Sequence, residues 1–185
     1  MNSFSITRTG AYLTIQDFGR FHLQHLGISS SGAMDQRILS KLAKVIPNHE
    51  NQFLEFAYVG PSLKVQKGAI KVSVGGHCKI FIQKKNNTQI EHQPYTSINL
   101  FEGDELTIHN TINSVYGYIA IENGLGLEPC LQSHSTDTKA QIGSINRPLQ
   151  IGDAFQLSLI HISEPTRPRL MSYAVFCLRK KGGGG

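Results

Sequence analysis

The chain of 185 residues has no tryptophan and only three cysteines. Cys78 and Cys130 are far apart and show no short-range pairing pattern, which excludes a disulfide scaffold and the paired ligands of a zinc ribbon. No hydrophobic leader precedes the first polar turn, and no apolar run approaches the length of a membrane span. The expectation is a protein of a reducing, cytoplasmic setting with no membrane partner. Charged residues make up 17% of the sequence and hydrophobic ones 39%, a balance that excludes disorder and suffices for one core.

A net charge of +5 invites nucleic-acid binding. Nearly all of it comes from Arg167, Arg169, Arg179, Lys180 and Lys181, set against Glu164 alone. The preceding residues are close to neutral, so no nucleic-acid partner is expected. The terminal segment itself reads as non-native. LSLIHISEPTR (157–167) can be encoded codon by codon by a transposase adapter used in sequencing libraries, and SYAVFCL (172–178) resembles the flow-cell end of the same adapter. Residues 168–170 fall where a sample barcode is read, and the four closing glycines resemble a signal-free poly-G read. The expected organisation is residues 1–156 as the N-terminal part of a domain and 157–185 as an adapter-derived tail, to be kept out of fold reasoning.

Before that tail, short alternating runs dominate: FSITR from Phe4, YLTI from Tyr12, SLKV from Ser62, IKVSV from Ile70, KIFI from Lys79, ELTIH from Glu105 and VYGYIAI from Val115. Period-two patterning with frequent turns predicts a β-barrel or sandwich. Turn chemistry agrees at Thr9-Gly10, Lys67-Gly68, Asn86-Asn87 and Glu102-Gly103-Asp104. One stretch departs from the pattern. Met34, Ile38, Leu39, Leu42, Val45 and Ile46 recur at helical spacing, which predicts one principal helix over residues 33–46, with Asp35 in its first turn and Pro47-Asn48 at its end.

Three polar segments could carry chemistry. TIQDFGR (14–20) ends a strand in a turn bearing Asp17 and Arg20. Arg20 can grip a carboxylate or phosphate through two parallel donors, or simply pair with Asp17. GISSSGAMD (27–35) feeds a small-residue loop, with Ser31 and Gly32, into the helix. It is either an anion cradle of free backbone N–H groups or an ordinary N-cap, and it lacks the Lys of a P-loop. SHSTDT (133–138) offers Ser135, Thr136 and Asp137 as substrate contacts, with Asp137 as acid or base; turns and caps use the same residues. Asp17 is the second candidate catalytic carboxylate. His22, His25 and His77 lack the spacing of a metal site, and none is expected.

In order and spacing, TIQDFGR, the GISSSGAMD loop, LEFAYVGPSLKV (54–65), YIAIENGLG (118–126) and STDTKAQIGSINRPLQIGD (135–153) resemble the family of the 5-oxoprolinase C subunit and biotin-dependent carboxyltransferases. Allophanate hydrolase subunit 2-like proteins and antagonists of a sporulation kinase inhibitor fall in the same family. The resemblance implies a cyclophilin-like β-barrel and the ATP-dependent opening of 5-oxoproline to glutamate, with ATP and Mg in an assembled complex containing A-like and B-like partner subunits. It also implies two alternatives: the carboxyltransferase component of a biotin-dependent urea or amide carboxylase, or a non-enzymatic module that binds a kinase-inhibitor partner. The family's pattern runs on past residue 153, so the fragment is expected to be inactive alone. The sequence departs from the family at Val74-Gly75-Gly76-His77, where a Thr-Gly-Ala-like turn is usual, and at Ser29-Ser30-Ser31, where proline is common.

Overall fold

The computed structural model describes residues 1–48 and 50–157. Eleven strands and one α-helix follow in the order β1 Asn2–Arg8, β2 Leu13–Gln16, α1 Gln36–Val45, β3 Phe53–Ala57, β4 Ser62–Lys67, β5 Ala69–Gly75, β6 Cys78–Gln83, β7 Gln89–His92, β8 Ile98–Phe101, β9 Glu105–Thr111, β10 Tyr116–Ile121 and β11 Ala154–Leu157. The pairings are antiparallel throughout and give two sheets, ordered β11-β1-β4-β9-β6-β7 and β2-β3-β10-β5-β8.

The mainly β expectation therefore stands, but no pairing joins the sheets into the expected closed barrel among the described residues. Phe4, Ile6, Leu63, Val65, Ile80 and Ile82 of the larger sheet share one core with Ile15, Leu54, Phe56, Val72, Val74 and Ile119 of the smaller. The larger sheet keeps a wet outer face, as the alternation of buried and exposed residues in β6 and β4 shows. The smaller sheet is buried on both faces at β2, β3 and most of β10, and its edge strand β8 keeps one exposed face. On its far side Phe53, Tyr118 and Ala120 pack against Ala33, Leu39 and Leu42 of the helical segment, so β3 is buried along its whole length.

The helix starts three residues later than its periodicity predicts. Asp35 is extended and acts as N-cap, its carboxylate accepting from the Arg37 N–H at 3.0 Å. The N–H groups before it go elsewhere: Ala33 to the Asp17 carbonyl (2.9 Å), Met34 to Glu55 (2.9 Å) and Asp35 to the Tyr118 hydroxyl (2.8 Å). Leu39 and Leu42 are fully buried, each contributing roughly 2 kcal/mol of apolar burial.

Leu157, placed in the tail by the sequence reading, pairs with Asn2 at the end of β11 and is buried. That residue belongs to the sheet. The remainder of the tail expectation lies outside the described residues.

Candidate functional site

Three loops meet at the open side of the smaller sheet. The turn after β2 and the loop before α1 lie backbone to backbone: Arg20 N–H donates to the Ser30 carbonyl at 2.7 Å while Ala33 donates to Asp17. Glycines make the approach possible. Gly32 has φ +94°, and a Cβ there would stand 3.0 Å from both Cα and N of Gly19. A Cβ on Gly19, itself at φ +103°, would meet the Ser30 carbonyl oxygen at 2.9 Å.

The third loop, residues 133–138, is fastened to the first by a buried carboxylate. Asp17 Oδ1 accepts from the Gly19 N–H (2.7 Å), from the Ser133 hydroxyl (2.9 Å) and, in a shorter contact, from the Ser135 hydroxyl. Its Oδ2 accepts from the His134 N–H at 2.6 Å. Arg20, only 1% exposed, donates through Nη2 to the Ser135 carbonyl at 2.5 Å. Both residues singled out in the β2 turn thus clamp one distant segment. The neighbouring His134 ring is buried, near Ser144 Oγ (2.8 Å) and the Gln52 amide, and desolvation pushes its pKa down.

Above this clamp opens a cleft of about 680 Å³, lined among others by Gln16, Ser31, Gly32, Glu55, Asp137 and Lys139. Of the residues predicted from sequence, Ser31, Gly32, Thr136 and Asp137 reach the cleft, whereas Asp17, Arg20 and Ser135 lie beneath its wall. Asp137 Oδ1 accepts from the N–H groups of Lys139 (3.0 Å) and Ala140 (2.9 Å), and Oδ2 from Ser29 Oγ (2.6 Å) and Ser31 Oγ (3.3 Å). The Ala140 N–H first, then the Ser29 hydroxyl, hold its pKa below the usual carboxylate range. It is an ionised acceptor that ties the serine loop to the 133–138 segment.

Of the two readings of the loop before the helix, the N-cap is present at Asp35, and the N–H groups of Ala33, Met34, Asp35 and Arg37 all donate within the protein rather than to an anion. The cleft wall offers one cation, Lys139, beside the carboxylate of Asp137 and the buried carboxyl group of Glu55. Such a lining does not fit a triphosphate. Nor do the described residues hold a cluster of three His, Cys, Asp or Glu side chains able to take a metal ion.

The sequence reading missed Glu55 and Gln16. Glu55 is 2% exposed in the middle of β3, with Tyr118 beside it on β10 and Thr14 beside it on β2. Its Oε2 accepts from the Met34 N–H (2.9 Å) and the Tyr118 hydroxyl (2.8 Å). Burial raises the pKa of Glu55 against the lowering effect of those two donors. Burial, with the adjacent Glu55 charge, raises that of Tyr118 as well. A lone acid within the apolar run Phe53-Leu54-Glu55-Phe56-Ala57 was the available signal.

Comparison with known proteins bears on what such a cleft serves. A family profile described as carboxyltransferase domain, subdomain A and B, matches residues 26–176, and so runs past the boundary expected at Leu157. The chain is 34% identical over 151 residues to the 5-oxoprolinase C subunit of Haemophilus influenzae, covering 80% of this chain and 47% of that protein. To the 5-oxoprolinase C subunit of Escherichia coli it is 27% identical over 160 residues, with the same coverage. It thus spans about half the length of the curated relatives it matches. The crystal structure of Kluyveromyces lactis urea carboxylase superposes with a TM-score of 0.75 at 26% identity, covering 84% of this chain and 14% of that one.

Proposed function

The chain belongs to the carboxyltransferase domain family, subdomain A and B, and from that premise we propose that it is part of a 5-oxoprolinase C subunit, which with A-like and B-like partner subunits opens 5-oxoproline to glutamate at the expense of ATP. The observation that carries the reading is the 34% identity to the Haemophilus influenzae protein over 80% of this chain. A lactam resists water because of amide resonance, so the ring must be made more electrophilic before it opens. In this reading Ser31, Gly32, Thr136 and Asp137 meet the substrate, while Asp17, Arg20 and Ser135 hold the wall that positions them. In this reading ATP and its Mg bind elsewhere in the assembly, because the described cleft offers phosphate a single cation, Lys139.

The test is reconstitution of a full-length protein carrying these residues with its partner subunits, followed by glutamate release from 5-oxoproline. Release that needs ATP and all three components supports the proposal; an assembled complex that leaves 5-oxoproline intact refutes it. The likeness to urea carboxylase favours a second reading, carboxyl transfer from carboxybiotin to a urea or amide nitrogen. Carboxylation of urea that depends on a biotinylated partner would select that reading.

We also infer that residues beyond Leu157 derive from a sequencing adapter, on the strength of the in-frame codon match. The family match running to residue 176 opposes this. Resequencing the gene from its source DNA decides: a different continuation after Leu157 supports the inference, and the same one refutes it.

A further inference from the structure

Glu55 and Gln16 sit on neighbouring strands of the cleft floor and have hydrogen-bonding capacity of opposite sense. In the β2–β3 register Thr14 faces Glu55 and Gln16 faces Phe53, which puts Gln16 diagonally beside Glu55 on the same face of the sheet. Both line the cleft.

Tyr118 accepts the Asp35 N–H, so its own hydroxyl proton goes to Glu55. With the Met34 N–H, that fills Oε2 with two donors and leaves Oε1, which accepts no hydrogen bond among the described residues, as the oxygen that can carry a proton. Gln16 is only 4% exposed, and its Nε2 donates to the Thr136 carbonyl and the Thr14 hydroxyl, both at 3.1 Å. A carbonyl can only accept, which fixes the orientation of the amide. Gln16 Oε1 is thereby left buried with no partner among the described residues, a costly arrangement unless something else supplies an N–H.

We propose that Glu55 and Gln16 form a two-point contact for the edge of a cyclic amide, the Glu55 O–H donating to the ring carbonyl oxygen and Gln16 Oε1 accepting the ring N–H. The proposal rests on the reading of the cleft as an amide-handling site and assigns that site two residues. It explains why a carboxylic acid occupies a strand interior: burial favours its protonated form against the two donors on Oε2, and Oε1 is left to donate.

The experiment measures binding of small neutral amides to the intact chain by ligand-observed NMR. The probes are 2-pyrrolidone, N-methyl-2-pyrrolidone, which lacks the N–H, and γ-butyrolactone, which has an oxygen in its place. Wild-type protein should bind pyrrolidone about tenfold more tightly than either analogue, the effect of one lost hydrogen bond at a desolvated acceptor. Gln16→Leu should abolish that preference. Pyrrolidone binding to wild type should weaken as pH rises and the Glu55 proton is lost, whereas Glu55→Gln, which keeps a donor there, should bind with no such dependence. Asp137, Lys139, Tyr12 and Tyr116 also face the cleft, with Tyr118 and Asp35 behind; they are common to both proteins and cancel in the comparison. Equal affinity for the three probes, no detectable pyrrolidone binding, or a Glu55→Gln profile matching wild type would overturn the proposal. A complex inactive on 5-oxoproline whose chain still shows the probe preference would refute the proposed function and leave this contact standing.

Discussion

Removing the Asp17 carboxylate should be among the most damaging single changes in the described fold, although no substrate contact is lost. Asp17→Ala strands four donors at once, the buried His134 N–H and Ser133 and Ser135 hydroxyls and the part-buried Gly19 N–H. At roughly 1 kcal/mol of net stability for each hydrogen bond, the expected loss is about 4 kcal/mol. Domains of this kind are stable by roughly 5–15 kcal/mol, so the variant should be severely compromised. Asp17→Asn separates charge and geometry from mere occupancy. It keeps Oδ1 for three donors but sets an N–H₂ against the His134 N–H, with an expected loss of about 2 kcal/mol. Urea titration followed by far-ultraviolet circular dichroism measures both, and the transition midpoint should move with little change in slope. Ser135→Ala in the Asp17→Ala background should cost less than it does alone, because the two share a contact. An Asp17→Ala loss under about 1 kcal/mol, or equal losses for Ala and Asn, would refute the clamp.

Other outcomes follow from the same geometry. Arg20→Lys keeps the charge but not the planar fork that reaches the Ser135 carbonyl, and should cost about 2 kcal/mol in the same titration. Gly32→Ala should cost about 2 kcal/mol or more, since it adds contact with Gly19 to a left-handed backbone; Gly27→Ala, at φ +73° with nothing within 4 Å, is the control and should cost about half as much. Glu55 has a raised pKa in the folded state, so the stability it brings is full below its unfolded value and is lost as pH rises through the folded one. Glu55→Gln should therefore gain stability relative to wild type as pH rises from acid to neutral, and a constant difference in denaturation midpoints would contradict this. Deleting residues 158–185 should leave the melting temperature unchanged, and loss of folding would show that the segment belongs to the domain.

β6 was legible because burial alternates along it, with Lys79 exposed between Cys78 and Ile80, whereas β8 and β11 alternate too but are only four residues long and were not read. β3, packed on both faces, lacks that alternation and was not read, although β2 and β10, buried almost throughout, were picked out by their β-branched and aromatic residues. The helical periodicity was right, but its first turn was overread: the N–H groups of residues 33–35 are drawn to Asp17, Glu55 and Tyr118, which sequence spacing cannot reveal. Candidate residues chosen by type also divided by location. Asp17 and Arg20 are both buried under the cleft, and only the distant partner at Ser135 says so. Gln16 and Glu55 become neighbours through strand register, a property of pairing that no local motif encodes.

The clamp also orders the events of synthesis. Asp17 emerges from the ribosome early, but its hydroxyl partner on Ser135 lies 118 residues further on, and β1 waits similarly for β11 to cover its outer edge. At roughly 5–20 residues per second, about 6–24 seconds separate the two halves of the Asp17 contact. During that interval the β2 turn carries a carboxylate and a guanidinium without the segment they hold, and the edge of β1 is open to other strands. The cleft is thus among the last parts of the fold to exist, and a chain stalled before residue 133 has most of the two sheets and none of the clamp.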